Sequence, residues 1–157
     1  MVFAAVRVRG IVNVKPDIKR TLQLFRLTRV NHCVLLEENA SIKGMLQIAK
    51  DYITWGEIDK AILSELLGSR GKLEGDKNLT EDYIKSATSY NNLEKLSQAI
   101  IDNKFKYKDI PNVKPIFRLS PPKKGYEGIK KSFVNKGALG YRRKEINKLL
   151  ERMIWKS

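Results

Sequence analysis

The sequence predicts an α/β protein: a split βαβαβ module with helices on one face of a small sheet, followed by a mainly helical carboxy-terminal extension. Three patterns carry this expectation. Polarity alternates with a period of two over residues 3–9, two later segments repeat apolar residues at helical spacing, and short apolar runs separate them. Strands and helices alternating in so short a chain favour helices packed on a sheet, with right-handed crossovers limiting the topology.

In the first element, Val6 and Val8 fall on one face and Arg7 and Arg9 on the other, so the strand reads as half buried and half basic, ending at Gly10. Pro16 suits a first helical position, and Ile18, Leu22 and Phe25 line one helix face. A basic turn over Arg26–His32 leads to the apolar run Cys33–Leu36, a second strand. Ser41 is the expected N-cap of a second helix with the stripe Ile42, Met45, Leu46, Ala49 and Ile53, and a third strand follows over Thr54–Ile58. This closes the module at residues 1–57.

Residues 58–157 form the extension. Ile58, Ile62, Leu63, Leu66 and Leu67 mark a helix stopped by Gly68, and a polar loop is expected to Asn78. Thr80 caps a short helix carrying Tyr83, Ile84 and Ala87, and Leu93, Leu96, Ala99 and Ile100 mark another. Ile116–Leu119 reads as a short strand halted by Pro121 and Pro122. Residues 120–143 read as a basic, glycine-containing loop, and Ile146, Leu149, Leu150 and Met153 as a closing amphipathic helix.

The 157 residues include 31 Lys and Arg against 17 Asp and Glu, a net charge of +14. Such a surplus predicts an anionic partner. It is unevenly placed: residues 1–57 carry +4, residues 58–110 are neutral, and residues 111–157 carry +10. With 42% hydrophobic residues a real core is expected. The apolar runs are too short to span a bilayer and no secretory signal is expected, so no membrane partner is anticipated. One cysteine, Cys33, and one histidine, His32, fit a reducing cytoplasm and offer no soft-metal set.

No catalytic constellation emerges. His32 and Cys33 are adjacent on a strand and so point to opposite faces, poor geometry for a base and its nucleophile. Gly68-Ser69-Arg70-Gly71-Lys72 has two residues between its glycines where a phosphate loop has four, and it follows a helix instead of a strand. Acidic pairs such as Glu37-Glu38 read as solvated charge. The expectation is a protein that is not an enzyme, with no cofactor, no metal and no small-molecule substrate.

Nucleic-acid contact is the better-supported chemistry. Lys123, Lys124, Lys130, Lys131, Lys136, Arg142 and Arg143 are interleaved with Gly125, Gly128, Gly137 and Gly140. The cations neutralise phosphates and the glycines permit close approach, while Tyr126, Phe133 and Tyr141 are available for base stacking. Lys124-Gly125-Tyr126 opens like an RNA-recognition motif, but Glu127 and Gly128 break the pattern. Arg7, Arg9, Arg26 and Arg29 form a second, smaller patch.

Several segments together resemble one family. Val6-Arg7-Val8-Arg9-Gly10, Leu22–Leu27, Val30-Asn31-His32-Cys33 and Ile42-Lys43-Gly44-Met45 are similar to the large-ribosomal-subunit protein family numbered thirty, whose eukaryotic counterpart is numbered seven. Lys72–Asp76, the run Phe117-Arg118-Leu119-Ser120-Pro121-Pro122-Lys123-Lys124-Gly125, Leu139-Gly140 and the closing helix resemble its archaeal type. The resemblance implies a ferredoxin-like module and a structural protein of the large subunit in the cytoplasm. Its implied partners are large-subunit rRNA and other large-subunit proteins, with the small rRNA of that subunit a further candidate. It implies RNA-facing positions at Arg7, Arg9, Arg26, Arg29, Asn31, His32, Lys43, Gly44 and Lys123–Gly125. With Arg118, Tyr126 and the basic residues of the 120–143 loop, these form the expected RNA-binding set. The rival readings are a free-standing RNA-binding protein or chaperone and a small ferredoxin-like enzyme.

Overall fold

The computed structural model describes residues 2–10, 14–126 and 128–154, leaving aside the side chains of Ile129 and Lys130. The module is β1 (Val2–Arg7), α1 (Pro16–Leu24), β2 (His32–Glu37), α2 (Ala40–Ala49) and β3 (Ile53–Glu57). The rest comprises α3 (Lys60–Arg70), α4 (Glu81–Ala87), α5 (Leu93–Ile101), β4 (Phe117–Arg118), β5 (Gly128–Ser132), β6 (Gly137–Tyr141) and α6 (Ile146–Ile154). The strands form one sheet in the order β4-β2-β1-β3-β6-β5. β1 runs antiparallel to both β2 and β3, so β2-α2-β3 is a βαβ unit split by β1. This is the expected mixed α/β architecture.

The pleat sorts the module's side chains into two cores. Phe3, Ala5, Val34, Leu36, Ile53 and Trp55 face α1 and α2, where Leu22, Phe25, Leu46 and Ala49 meet them. Val2, Ala4, Val6, Cys33 and Leu35 face the other way, onto α3, α5 and α6. The module's own helices thus share one face, and the extension covers the opposite face and adds β4, β5 and β6 to the same sheet.

This double coverage corrects the half-basic reading of the first strand. Every residue of β1 is buried, Arg7 included at 3% exposure. Boundaries also differ: α2 ends at Ala49, so Ile53 belongs to β3 and not to the helix stripe, and α3 begins at Lys60, after Ile58. The N-cap of α2 is Asn39, whose side chain accepts from the Ile42 amide at 2.8 Å, so Ser41 lies inside the helix. Gly68 does not stop α3, which runs to Arg70 and ends at Gly71. Gly68 lies against α5, since a Cβ there would sit 3.2 Å from Leu93 Cδ1. Finally, residues 120–143 are not one loop. β6 pairs in parallel with β3, and β5 pairs with β6 across a register shift. Thr80 caps α4 as expected, accepting from the Tyr83 amide at 3.2 Å.

Candidate nucleic-acid interface

The end of the sheet where β1 finishes and β2 and β3 begin gathers several expected residues. Arg7 is the organising group. Its Nη1 donates to the Leu27 carbonyl at 2.7 Å and its Nε to the Arg9 carbonyl at 2.9 Å. Its own carbonyl accepts from the Asn31 amide at 2.8 Å. Arg7 therefore ties the 26–31 turn to the sheet instead of facing a ligand. That turn reverses through Arg26 and Asn31 at φ 64° and 69°, and it leaves Arg26 and Arg29 exposed. Arg9 spreads over the Tyr52 ring at 4.8 Å and donates to the Asp51 carbonyl at 3.3 Å.

The segment from Phe117 to Tyr126 is laid beside this turn. His32 and Arg118 are cross-strand partners, and the Leu119 amide donates to the Asn31 carbonyl at 3.1 Å. Two arginines bracket the segment from behind. Arg70 donates to the Arg118 carbonyl at 3.0 Å, Ser120 Oγ at 2.6 Å and the Ile154 carbonyl at 3.2 Å. Arg152 donates to the Lys123 and Gly125 carbonyls, each at 3.3 Å. A turn closed by the Gly125 amide on the Pro122 carbonyl at 2.9 Å puts Lys124 and Gly125 at positive φ, with both lysines exposed. Sequence reasoning missed Arg70 and Arg152, because helix-end arginines carry no pattern that announces a carbonyl-binding role.

Arg29, His32, Arg118, Lys123 and Lys124 thus converge on one sheet end from segments almost a hundred positions apart. The imidazole registers the field there. His32 titrates below the ordinary histidine value, first because it is partly buried and then because Arg118, Arg29 and Arg7 oppose a further positive charge. Its Nδ1 is buried with no hydrogen-bond partner among the described residues. Among the described residues Asp76 brings an acid to the cluster: it pairs with Lys114 at 2.6 Å and with Arg118 at 3.7 Å, and these contacts hold its carboxyl below the usual range.

The expected stacking residues divide. Tyr126 is largely buried, and its hydroxyl donates to Asn31 Oδ1 at 2.5 Å. Phe133 lies under the Arg142 guanidinium at 5.0 Å. Arg142, 3% exposed, also donates to Thr54 Oγ1 and to the Ala138 carbonyl, both at 2.8 Å, locking β6 to β3. Tyr126 and Arg142 therefore work inside the fold, as Arg7 does. Tyr141 stacks on Trp55 at 6.1 Å, donates its hydroxyl to Glu57 and remains 39% exposed.

A second locus lies on the α1–α2 face, where Lys43, Gly44, Phe3, Trp55 and Tyr141 line a groove of about 390 Å³. Lys43 pairs with Glu38 at 3.2 Å. Lys131, Lys136 and Arg143 are exposed, and the Lys130 side chain lies outside the described residues.

Catalytic chemistry finds no footing at His32 and Cys33. The thiol is fully buried and burial pushes its pKa far up. Among the described residues no three His, Cys, Asp or Glu side chains are grouped to hold a metal ion, and no helix is long and apolar enough to cross a membrane.

The family model described as ribosomal protein L30p/L7e matches residues 3–53. Proteins named large ribosomal subunit protein uL30 match nearly the whole chain. The Methanocorpusculum labreanum protein is 46% identical, covering 96% of this chain and 99% of its own length. That of Methanosphaera stadtmanae is 49% identical, covering 97% and 99%. That of Thermoplasma volcanium is 49% identical, covering 97% and 92%.

Proposed function

Because the chain belongs to the L30p/L7e family of ribosomal proteins, we propose that it is a structural constituent of the large ribosomal subunit in the cytoplasm, holding large-subunit rRNA through phosphate and shape contacts. It acts as neither an enzyme nor a free-standing chaperone. The observation that carries the RNA contact is the convergence of Arg29, His32, Arg118, Lys123 and Lys124 on one sheet end. Hydrogen bonds that fix the backbone of these segments reduce what is left to order when their charges meet phosphates, and each phosphate met releases counterions.

In this reading Arg9, Arg26, Arg29, Asn31, His32, Arg118, Lys123, Lys124 and Gly125 form one RNA-facing surface, and Lys43 and Gly44 a second. Lys130, Lys131, Lys136 and Arg143 add charge from the β5–β6 end. Arg7, Tyr126 and Arg142 serve by holding the surface in shape. Other large-subunit proteins are its neighbours, and the small rRNA is a further candidate contact.

Changing Lys123, Lys124, Lys130 and Lys131 together to Ala tests the surface. Binding to large-subunit rRNA should weaken and its log–log salt slope flatten by about 0.7–0.9 per lost phosphate contact. An unchanged slope would remove these lysines from the interface. Gradient fractionation tests the wider reading, since a chain absent from the large-subunit peak at physiological salt would favour a free-standing role.

A further inference from the structure

We propose that the outer edge of β2 docks an extended, acid-bearing segment of another large-subunit protein, which joins the sheet as an additional strand. The choice of partner rests on the large-subunit reading; the docking edge itself does not. β4 covers β2 only at His32 and Cys33, whereas β2 stays paired with β1 as far as Glu37. Over Val34–Glu37 the outward N–H and C=O groups therefore have no ladder partner among the described residues. Proteins ordinarily blunt such an edge with charge, proline or a cover. Here it reads Val34-Leu35-Leu36, and a groove of about 450 Å³ runs beside it.

The groove's walls have the chemistry of a peptide site. Leu24, 65% exposed, stands on one side with Phe25 and Ile42, and Phe105 and Tyr107 stand on the other. Tyr107 is buried, stacked on Phe117 at 5.0 Å, and its hydroxyl has no hydrogen-bond partner among the described residues. Lys108 lines the groove without an acidic partner among the described residues, while Lys106 pairs with Glu37 at 3.3 Å. Apolar walls and a comb of alternating donors and acceptors match a polypeptide backbone, with side chains alternating between apolar and acidic. A ribose–phosphate strand has 2′-OH and base donors, but not at the regular spacing with which a strand edge presents its N–H and C=O groups.

A photoreactive benzoylphenylalanine replacing Leu24 in the full chain, incorporated into archaeal large subunits and irradiated, tests this. The expected product is a crosslink to one protein segment. The outward-facing amides within Val34–Glu37 should also exchange at least about tenfold more slowly in the subunit than in the free chain, while those already bonded to β1 change less. Lys108→Glu should reduce the crosslink yield several-fold while the chain stays in the large-subunit peak. A crosslink to rRNA alone, a crosslink to a second copy of the chain, or no crosslink from subunit-bound chain overturns the proposal. Absence of the chain from the large-subunit peak overturns the underlying reading, and the choice of partner with it.

Discussion

The hydroxyl of Tyr126 donates to the side-chain oxygen of Asn31 at 2.5 Å, joining the segment after Pro121-Pro122 to the turn before β2 across 95 positions of sequence. Asn31 sits at φ 69°, and its carbonyl accepts from the Leu119 amide. One residue therefore ties both halves of the proposed RNA surface. Tyr126→Phe removes the bond while keeping the ring, and it should lower unfolding stability by about 1 kcal/mol. The salt slope of RNA binding should stay unchanged, because no charge is lost. Urea midpoints of the two proteins check the first part, and coincident midpoints would show that the bond contributes nothing.

Arg7 and Arg29 are both arginines of the expected RNA set, yet they should respond in opposite ways. Arg7→Met leaves the Leu27 and Arg9 carbonyls without their donor and should cost about 3 kcal/mol of stability, with no change in salt slope. Arg29→Ala should leave stability within about 0.5 kcal/mol and flatten the slope by about 0.7–0.9. Denaturation and salt-titrated binding on both variants separate the roles. A flattened slope in Arg7→Met at native stability would reassign Arg7 to the RNA.

That contrast marks where the sequence was legible. Alternation and helical spacing located β1, α1, β2, α2 and β3 to within a few residues, because each has a face that must be buried whatever else the chain does. Arg7 was misplaced because the alternation Val6-Arg7-Val8-Arg9 looks the same whether the arginines meet solvent or carbonyls. Only the 26–31 turn folding over the strand decides between them. β5 and β6 were missed because Gly128, Gly137 and Gly140 lower strand propensity. Gly137 is nevertheless demanded, since a Cβ there would lie 2.1 Å from the Lys131 carbonyl oxygen. The β2 edge carries no signal in its own residues; it exists because β4 is only two residues long.

Acid should weaken the fold through His32. The folded imidazole titrates below the ordinary value near 6.5, through burial and the charges of Arg118, Arg29 and Arg7. As pH falls through that value the unfolded chain takes up the proton first, so stability declines until the folded pKa is passed. His32→Asn should lose this component, narrowing the stability difference between pH 7.5 and pH 5. Bound phosphates would offset the surrounding cations and raise the imidazole pKa, so RNA binding just below neutrality should be accompanied by proton uptake. Calorimetry in buffers of different ionisation enthalpy measures that uptake, and its absence would remove phosphate from the neighbourhood of His32.

Gly56, in β3, admits no side chain. A Cβ there would lie 1.8 Å from the Arg143 carbonyl oxygen and 3.0 Å from Ile146 Cβ. Gly56→Ala must push the turn before α6 off the sheet and should cost about 3 kcal/mol or more. Chemical denaturation measures this, and a shift below about 1 kcal/mol would mean that the turn yields easily.

Gly44 presents the reverse case. It lies within α2, is exposed, and a Cβ there would meet nothing within 4 Å. A helix-interior glycine loses more backbone entropy on folding than alanine, so Gly44→Ala should stabilise the chain by about 0.5–1 kcal/mol. Packing therefore gives no reason for glycine at this position. The proposed RNA contact at the groove beside Lys43, Trp55 and Tyr141 would supply one: a bare backbone would let an RNA strand approach the helix, with Lys43 in reach of its phosphate and the exposed part of Tyr141 available to a base. Gly44→Leu carries the same backbone benefit and also fills the groove. Both variants should unfold at higher denaturant than the parent, and both should bind large-subunit rRNA more weakly, the leucine variant most. Gains in stability with undiminished binding would strip Gly44 and its groove of any role in holding RNA.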